Sequence, residues 1–259
     1  MKLTDSPQTY RKLKLYNLVM GFLHLLQGSL MVVVSNDTSA KLTTEFLKFD
    51  TQAMQVLQEK EVLFELPLGY SVAVFLFMSA LAHFVIGTVY FPKYVENLKK
   101  GVNYARWIEY AFSSSWMIVI IGILVGMYDV PSLILLFFLN MMMILFGYVM
   151  ELHNQTTSKT DWTSFIYGCI AGAVPWVVMG WYFYGAVQNT NEIAVVPDFV
   201  YGIFISLLVF FNIFAINMIL QYKRVGRWKN YLFGEVVYIA LSLVAKSLLA
   251  WQVWSGTLR

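Results

Sequence analysis

The sequence predicts an all-α membrane protein, a bundle of seven transmembrane helices with its N-terminus in the cytoplasm. Three observations carry this. First, 59% of the 259 residues are hydrophobic and only 13% are charged, where a soluble domain carries about a quarter charged residues. Second, seven apolar stretches are long enough for a hydrocarbon core of about 30 Å, which takes roughly 20 helical residues. Third, the cations are lopsided. Lys2, Arg11, Lys12, Lys14, Lys93, Lys99, Lys100, Lys159, Lys223, Arg224, Arg227 and Lys229 fall on the N-terminal side; only Lys41, Lys48, Lys60 and Arg259 fall on the other. The positive-inside rule then places the N-terminus inside and the C-terminus outside. The runs are too long and too unalternating for barrel strands, and open backbone cannot face lipid, so the spans are helices.

The first span is expected over 13–34. A polar segment precedes it and no small-residue cleavage site follows, so it reads as a retained helix rather than a signal peptide. The loop 35–66 is the long one. Its Asp37, Glu45, Asp50, Glu59, Glu61 and Glu65 face three lysines, and stretches such as EVLFEL suit short strands. It is expected to form a small extracellular cap within a single domain covering 1–259. The other spans are expected over 68–91, 103–127, 131–150, 162–187, 198–220 and 231–254. A lone cysteine, Cys169, excludes an intrachain disulfide. No basic arm points to nucleic acid, no P-loop to a nucleotide-driven machine, and no hydrolase or transferase constellation to an enzyme.

The last span, YIALSLVAKSLLAWQVW, carries Lys246 near its middle. A charge at that depth costs about 2.5–3.5 kcal/mol on insertion scales, and snorkelling does not easily rescue it. Two escapes exist: pairing with a carboxylate that pins two helices, or use of the amine as a nucleophile toward an aldehyde. The partner expected from the third span, ARWIEYAFSSSW, is Glu109, the one carboxylate in that apolar helix. Arg106 lies about 60° and Ser113 about 40° from it around the helix. Ser242 precedes Lys246 by one turn. Hydroxyls there either solvate the charge or serve helix packing, and Arg106 is alternatively an interfacial snorkelling arginine.

His24, with Gln27 three residues on, and His83, with Ser79 four before it, are either satisfied polar anchors or share a hydrated pocket with Glu109. Glu151 and His153 end the fourth span, where solvation alone accounts for them. Trp176, Trp181, Tyr182, Phe183, Phe210, Phe211, Phe214 and Trp251 are core or belt residues first, and they also suit a slot for a long apolar ligand. Gly168 and Gly172 in GCIAGAVPW let a helix or a flat ligand come close.

Several strings carry a resemblance: RWIEYAFSSSWMIV, GCIAGAVPW, PDFVYGIFISL, LQYKRVGRWKNYL, YIALSLVAKSLLAWQVWSGTL and FLHLLQ around His24. With seven spans, a lysine in the last and a carboxylate in the third, the chain resembles the heliorhodopsin family over nearly its whole length. The resemblance implies all-trans retinal as a protonated Schiff base on Lys246, with Glu109 as counterion and Ser242 and Ser113 hydrogen-bonded around that pair. It implies Arg106, Gln27, His24 and His83 in a polar network on the cytoplasmic side of the retinal. Glu151 matches a family glutamate, and Asn140, Met143, Trp176, Phe210, Phe211 and Trp251 are pocket candidates. It also implies a homodimer in the lipid bilayer, an inverted orientation relative to ordinary microbial rhodopsins, and a stranded first extracellular loop.

Resemblance to outward proton pumps calls for carboxylates eleven residues beyond Glu109 and four before Lys246; Ile120 and Ser242 stand there. The expectation is a photoreceptor with a slow cycle and conformational signalling, without pumping. The loop QYKRVGRWKNY either presents that change to a cytoplasmic partner or merely obeys the positive-inside rule. The alternative is light-driven or light-gated proton transport, with Glu192 and Glu235, both expected in or near water, as extra carriers.

Overall fold

The computed structural model describes residues 6–52, 54–188 and 196–259. Lys2 and Glu192 lie outside them. Seven helices among the described residues are long and apolar enough to cross a membrane. They are α1 (Pro7–Val34), α2 (Leu68–Gly87), α4 (Tyr104–Leu124), α5 (Val130–His153), α6 (Thr163–Gln188), α7 (Asp198–Tyr222) and α8 (Tyr231–Val253), with a short helix α3 (Phe91–Lys99) between α2 and α4.

Local chemistry starts these helices where it predicts they should start. Ser6 accepts the Thr9 amide ahead of Pro7, Asn103 accepts the Arg106 amide, Asp129 accepts the Ser132 amide ahead of Pro131, and Asn230 accepts the Leu232 amide. Each satisfies a donor that the first turn leaves unpaired.

The second span is shorter than expected. It stops at Gly87 rather than residue 91, and α3 follows as a separate element. Thr88 leaves the helical region at φ −123 and ψ −97, and its hydroxyl donates back to Phe84 O at 2.5 Å. Pro92 then opens α3. Tyr94 and Leu98, one turn apart, are buried against Tyr10, Leu13 and Ile86. Lys93, Glu96 and Lys100 face outward and pair with one another. The α3 helix is therefore amphipathic and lies across the end of the bundle. There, Lys93 and Lys100 hold the Glu96 carboxyl down at about 2 through direct hydrogen bonds.

The cap is a β-hairpin. Strand β1 (Ser39–Asp50) pairs antiparallel with β2 (Gln55–Pro67), with a bulge at Leu42/Thr43. Its base is anchored: Ala40 and Leu42 join the core, and the Thr43 amide donates to Tyr128 O at 2.9 Å. Its far half is exposed on both faces, with Leu47 at 72%.

Two ends of the bundle are thus distinct. The hairpin end also holds the C-terminus: the Asn36 amide donates to Leu258 O at 2.9 Å, and Trp254 Nε1 donates to Val34 O at 3.1 Å. The other end carries α3 and the basic loops. Helix α4 is the most enclosed span, packed between α2 and α5. Large apolar side chains such as Leu135, Val177, Trp181 and Ile205 point outward, as expected of helices that meet lipid rather than water.

Candidate functional site

Lys246 lies on α8, facing α4. Its Nζ donates to Glu109 Oε1 at 2.7 Å and to Ser242 Oγ at 2.9 Å. The two charged side chains are only 4% and 9% exposed. Spacing explains the serine: four residues on a helix bring Ser242 under Lys246. Ser79 on α2 completes the pair, with Oγ 2.6 Å from the same Glu109 oxygen. Nζ also sits 5.3 Å from the centre of the Tyr110 ring. A pair of opposite charges with hydrogen-bonded neighbours is how such burial is tolerated.

Ser113 does not join this cluster. It is fully buried, but its Oγ has no hydrogen-bond partner among the described residues. One turn beyond Glu109, it lies past the carboxylate, and Ser79 from the neighbouring helix takes the place expected for it.

The histidines meet each other. The rings of His24 and His83 stack at 5.6 Å with 12° between their planes. His83 Nδ1 lies 2.9 Å from Asn17 Oδ1, while neither nitrogen of His24 has a hydrogen-bond partner among the described residues. His83 and Glu109 share a small cavity of about 20 Å³ with Asn17, Asn103, Arg106 and apolar neighbours such as Ile86 and Ile239, large enough by volume for a water molecule. Gln27 lies elsewhere. Its Oε1 accepts Trp251 Nε1 at 3.0 Å, and Trp251 is five residues beyond Lys246 toward the hairpin end. Gln27 is therefore not on the basic side of the lysine with Arg106, because α1 has climbed past that level.

Arg106 heads a second buried cluster. It is hydrogen-bonded to Glu235, and its Nη2 donates to Glu151 Oε1 at 3.0 Å. Glu151 further accepts Trp107 Nε1 at 2.5 Å, Tyr231 OH at 2.9 Å and the Asn103 amide at 3.0 Å. Glu235 accepts Asn103 Nδ2 at 2.6 Å. Arg106, Glu151 and Glu235 are 6%, 2% and 1% exposed. Three readings are corrected here: Arg106 is not a snorkelling residue, Glu151 is not explained by solvation, and Glu235 is not in or near water. The tight turn at Asn103 and the start of α8 fold over these groups and exclude solvent.

Beside Lys246 opens a cavity of about 420 Å³ between α4, α5, α6, α7 and α8. Met143, Trp176 and Phe211 line it, with Ser113, Ser242 and Lys246 in the wall. Trp176 and Phe211 meet edge to face at 5.4 Å. Phe210 is not in the lining, since neighbours on a helix diverge by about 100°. Trp251 is not either, being drawn to Gln27. Asn140 sits one layer back, donating to Ser114 Oγ at 2.9 Å and Ser115 Oγ at 3.1 Å. Phe214 lines the cavity too, and so do Tyr110, Tyr238 and Trp107, which were not read from the sequence as pocket residues. Gly172 is a cradle position: a Cβ there would come within 2.2 Å of Met143 Sδ.

These residues fit a long apolar aldehyde bound through an amine. The volume is in the range of small-ligand sites, about 300–1,000 Å³, the lining is largely aromatic and aliphatic, and Lys246 is the one cation in it. The Ser113 hydroxyl is an orphaned polar atom in its wall. Seven spans, an apolar slot, and a lysine on the last span facing a carboxylate on the third define a protein of the rhodopsin type. A solved structure bears out the fold: a light-driven proton pump from Leptosphaeria maculans superposes with a TM-score of 0.59 over 92% of this chain and 93% of that one, at 14% identity. The chain belongs to the heliorhodopsin family, whose profile matches residues 13–258. No curated protein matches it. Membership makes it an integral, multi-pass membrane protein of a retinal-binding photoreceptor family.

Proposed function

We propose that the protein is a light-sensing photoreceptor that holds all-trans retinal on Lys246 and answers light with a slow conformational cycle, without pumping ions. The observation that supports this most is Lys246 Nζ, exposed to an apolar cavity on one side and 2.7 Å from Glu109 on the other. Retinal, when bound there, supplies visible absorption and a light-driven change of shape. Lys246 offers the amine for attachment. Glu109 balances the positive charge at that nitrogen, in a low-dielectric setting where the pairing is strong. Ser79 and Ser242 hold the two partners in place. Trp176, Phe211 and Met143 shape the slot and keep water out. A proton that leaves Nζ has Glu109 Oε1 as its nearest acceptor.

The orientation follows from the loop charges, with the basic end in the cytoplasm, where a signalling partner would read the change. The exposed far half of the hairpin supports a homodimer. Ile120 and Ser242, in place of the carboxylates that pumps carry, speak against vectorial transport. One observation favours the second reading, proton transport: Glu151 and Glu235 are buried between Glu109 and the basic face.

Purified with retinal, the protein should show a visible band that Lys246→Ala abolishes. A colourless wild type overturns the reading. A sustained photocurrent under illumination would replace signalling with transport.

A further inference from the structure

The turn from α7 into α8 concentrates charge that nothing in the light-sensing site uses. Lys223, Arg224, Arg227 and Lys229 fall within seven residues, and all four are exposed. Glu235, the next carboxylate along the chain, is buried and committed to Arg106. Among the described residues none of the four forms an ion pair, whereas Lys93 and Lys100 at the same end are both neutralised by Glu96.

The turn is built rather than loose. Arg224 and Gly226 both adopt left-handed backbone, at φ 53 and φ 52, a conformation that a non-glycine residue holds only when its surroundings enforce it. Trp228 Nε1 donates to Asn217 Oδ1 at 2.6 Å, and Gln221 Nε2 donates to Tyr231 O at 3.1 Å. The Arg227 guanidinium stacks over the Phe233 ring at 4.3 Å. In the midst of the cations, Val225 stands 46% exposed. Helix α7 has 25 residues, about 37 Å at 1.5 Å per residue, longer than a hydrocarbon core of about 30 Å, which suits a turn at headgroup depth.

We propose that this turn is a binding site for the phosphate headgroup of an anionic phospholipid in the leaflet that the basic end faces. The guanidinium of Arg227, pre-oriented by its ring, and Arg224, pre-oriented by its backbone, make the phosphate contacts. Val225 rests on the acyl boundary. Tyr231 and Gln221 link the turn to the carboxylates that Arg106 holds. Lipid occupancy and the packing of that buried cluster are thereby coupled.

The test equilibrates the full chain in detergent micelles containing phosphatidylglycerol or phosphatidylcholine and quantifies the lipid that stays bound. Phosphatidylglycerol should be retained in preference. The double variant R224Q/R227Q should bind it about 30-fold more weakly, from roughly a fivefold loss per cation at a membrane surface. K93Q/K100Q should bind it as the wild type does. If R224Q/R227Q fails to insert, high salt applied to the wild type must release phosphatidylglycerol and leave phosphatidylcholine unaffected. Equal retention of the two lipids, an equal loss in K93Q/K100Q, or salt-insensitive retention overturns the proposal. Full displacement by millimolar inorganic phosphate overturns it in favour of a soluble anion.

Discussion

Ser79 and Lys246, on α2 and α8, converge on a single oxygen of Glu109, at 2.6 and 2.7 Å. The counter-charge is therefore aimed by a hydroxyl from a third helix. Ser79→Ala removes that aim but leaves the carboxylate. It should shift the visible band of the retinal-loaded protein less than Glu109→Gln does, at a stability cost of about 1 kcal/mol. Absorption spectra of the two variants side by side check this; a larger shift in Ser79→Ala would reverse the ranking.

Gly172 gives a steric prediction. Met143 occupies the space that a side chain at 172 would need, and both line the cavity. Gly172→Leu should block formation of the pigment. Adding Met143→Ala should restore part of it, because the removed thioether makes room. Pigment yield after retinal addition reads both variants, and failure of the double variant to recover would place the cost elsewhere.

The Arg106 cluster holds one cation between two buried carboxylates. Arg106→Gln leaves Glu151 and Glu235 facing each other unpaired and should destabilise the fold by about 3–5 kcal/mol. Glu235→Gln keeps a neutral hydrogen-bonding group of the same shape against Arg106 and Asn103, and should cost clearly less. Thermal unfolding in detergent should rank them in that order.

A pH effect is expected at α3. Glu96 titrates at about 2 in the folded protein rather than near 4.5, because Lys100 and Lys93 hydrogen-bond its charged form. A depressed carboxylate contributes stability above its unfolded value and loses it as pH falls through the folded one. The difference in melting temperature between wild type and Glu96→Gln should hold steady above pH 4.5 and shrink toward about 2. The group is exposed, so added salt should shrink it too.

The bundle was legible because hydropathy and cation asymmetry are summed over many residues, and single exceptions do not spoil them. Lys246 and Glu109 were legible because an isolated charge in an apolar run needs a partner, and each was the one candidate in its span. What escaped depended on helix-to-helix register. Ser79 was visible only as a neighbour of His83 in sequence, since nothing in one chain says that α2 brings it to α4. Glu235 sits four residues into α8 and reads as a surface charge until Arg106 is seen beside it. The resemblance implied Gln27 on the cytoplasmic side of the retinal, but it meets Trp251 toward the hairpin end, and position along α1 says little about which α8 residue lies opposite. The α3 helix was hidden in a short charged stretch, where Tyr94 and Leu98, one turn apart, were its signal.

The hydrogen bonds that join residues 34 and 36 to residues 254 and 258 close the polypeptide into a hoop at one rim. The helix bearing Lys246 is tied by main-chain acceptors there, while at the opposite rim it is also tied through buried charged and polar side chains, Glu235 to Arg106 and Tyr231 to Glu151. On the proposed function, a displacement at Lys246 would be felt first at the rim where Arg106 holds Glu235 and Glu151.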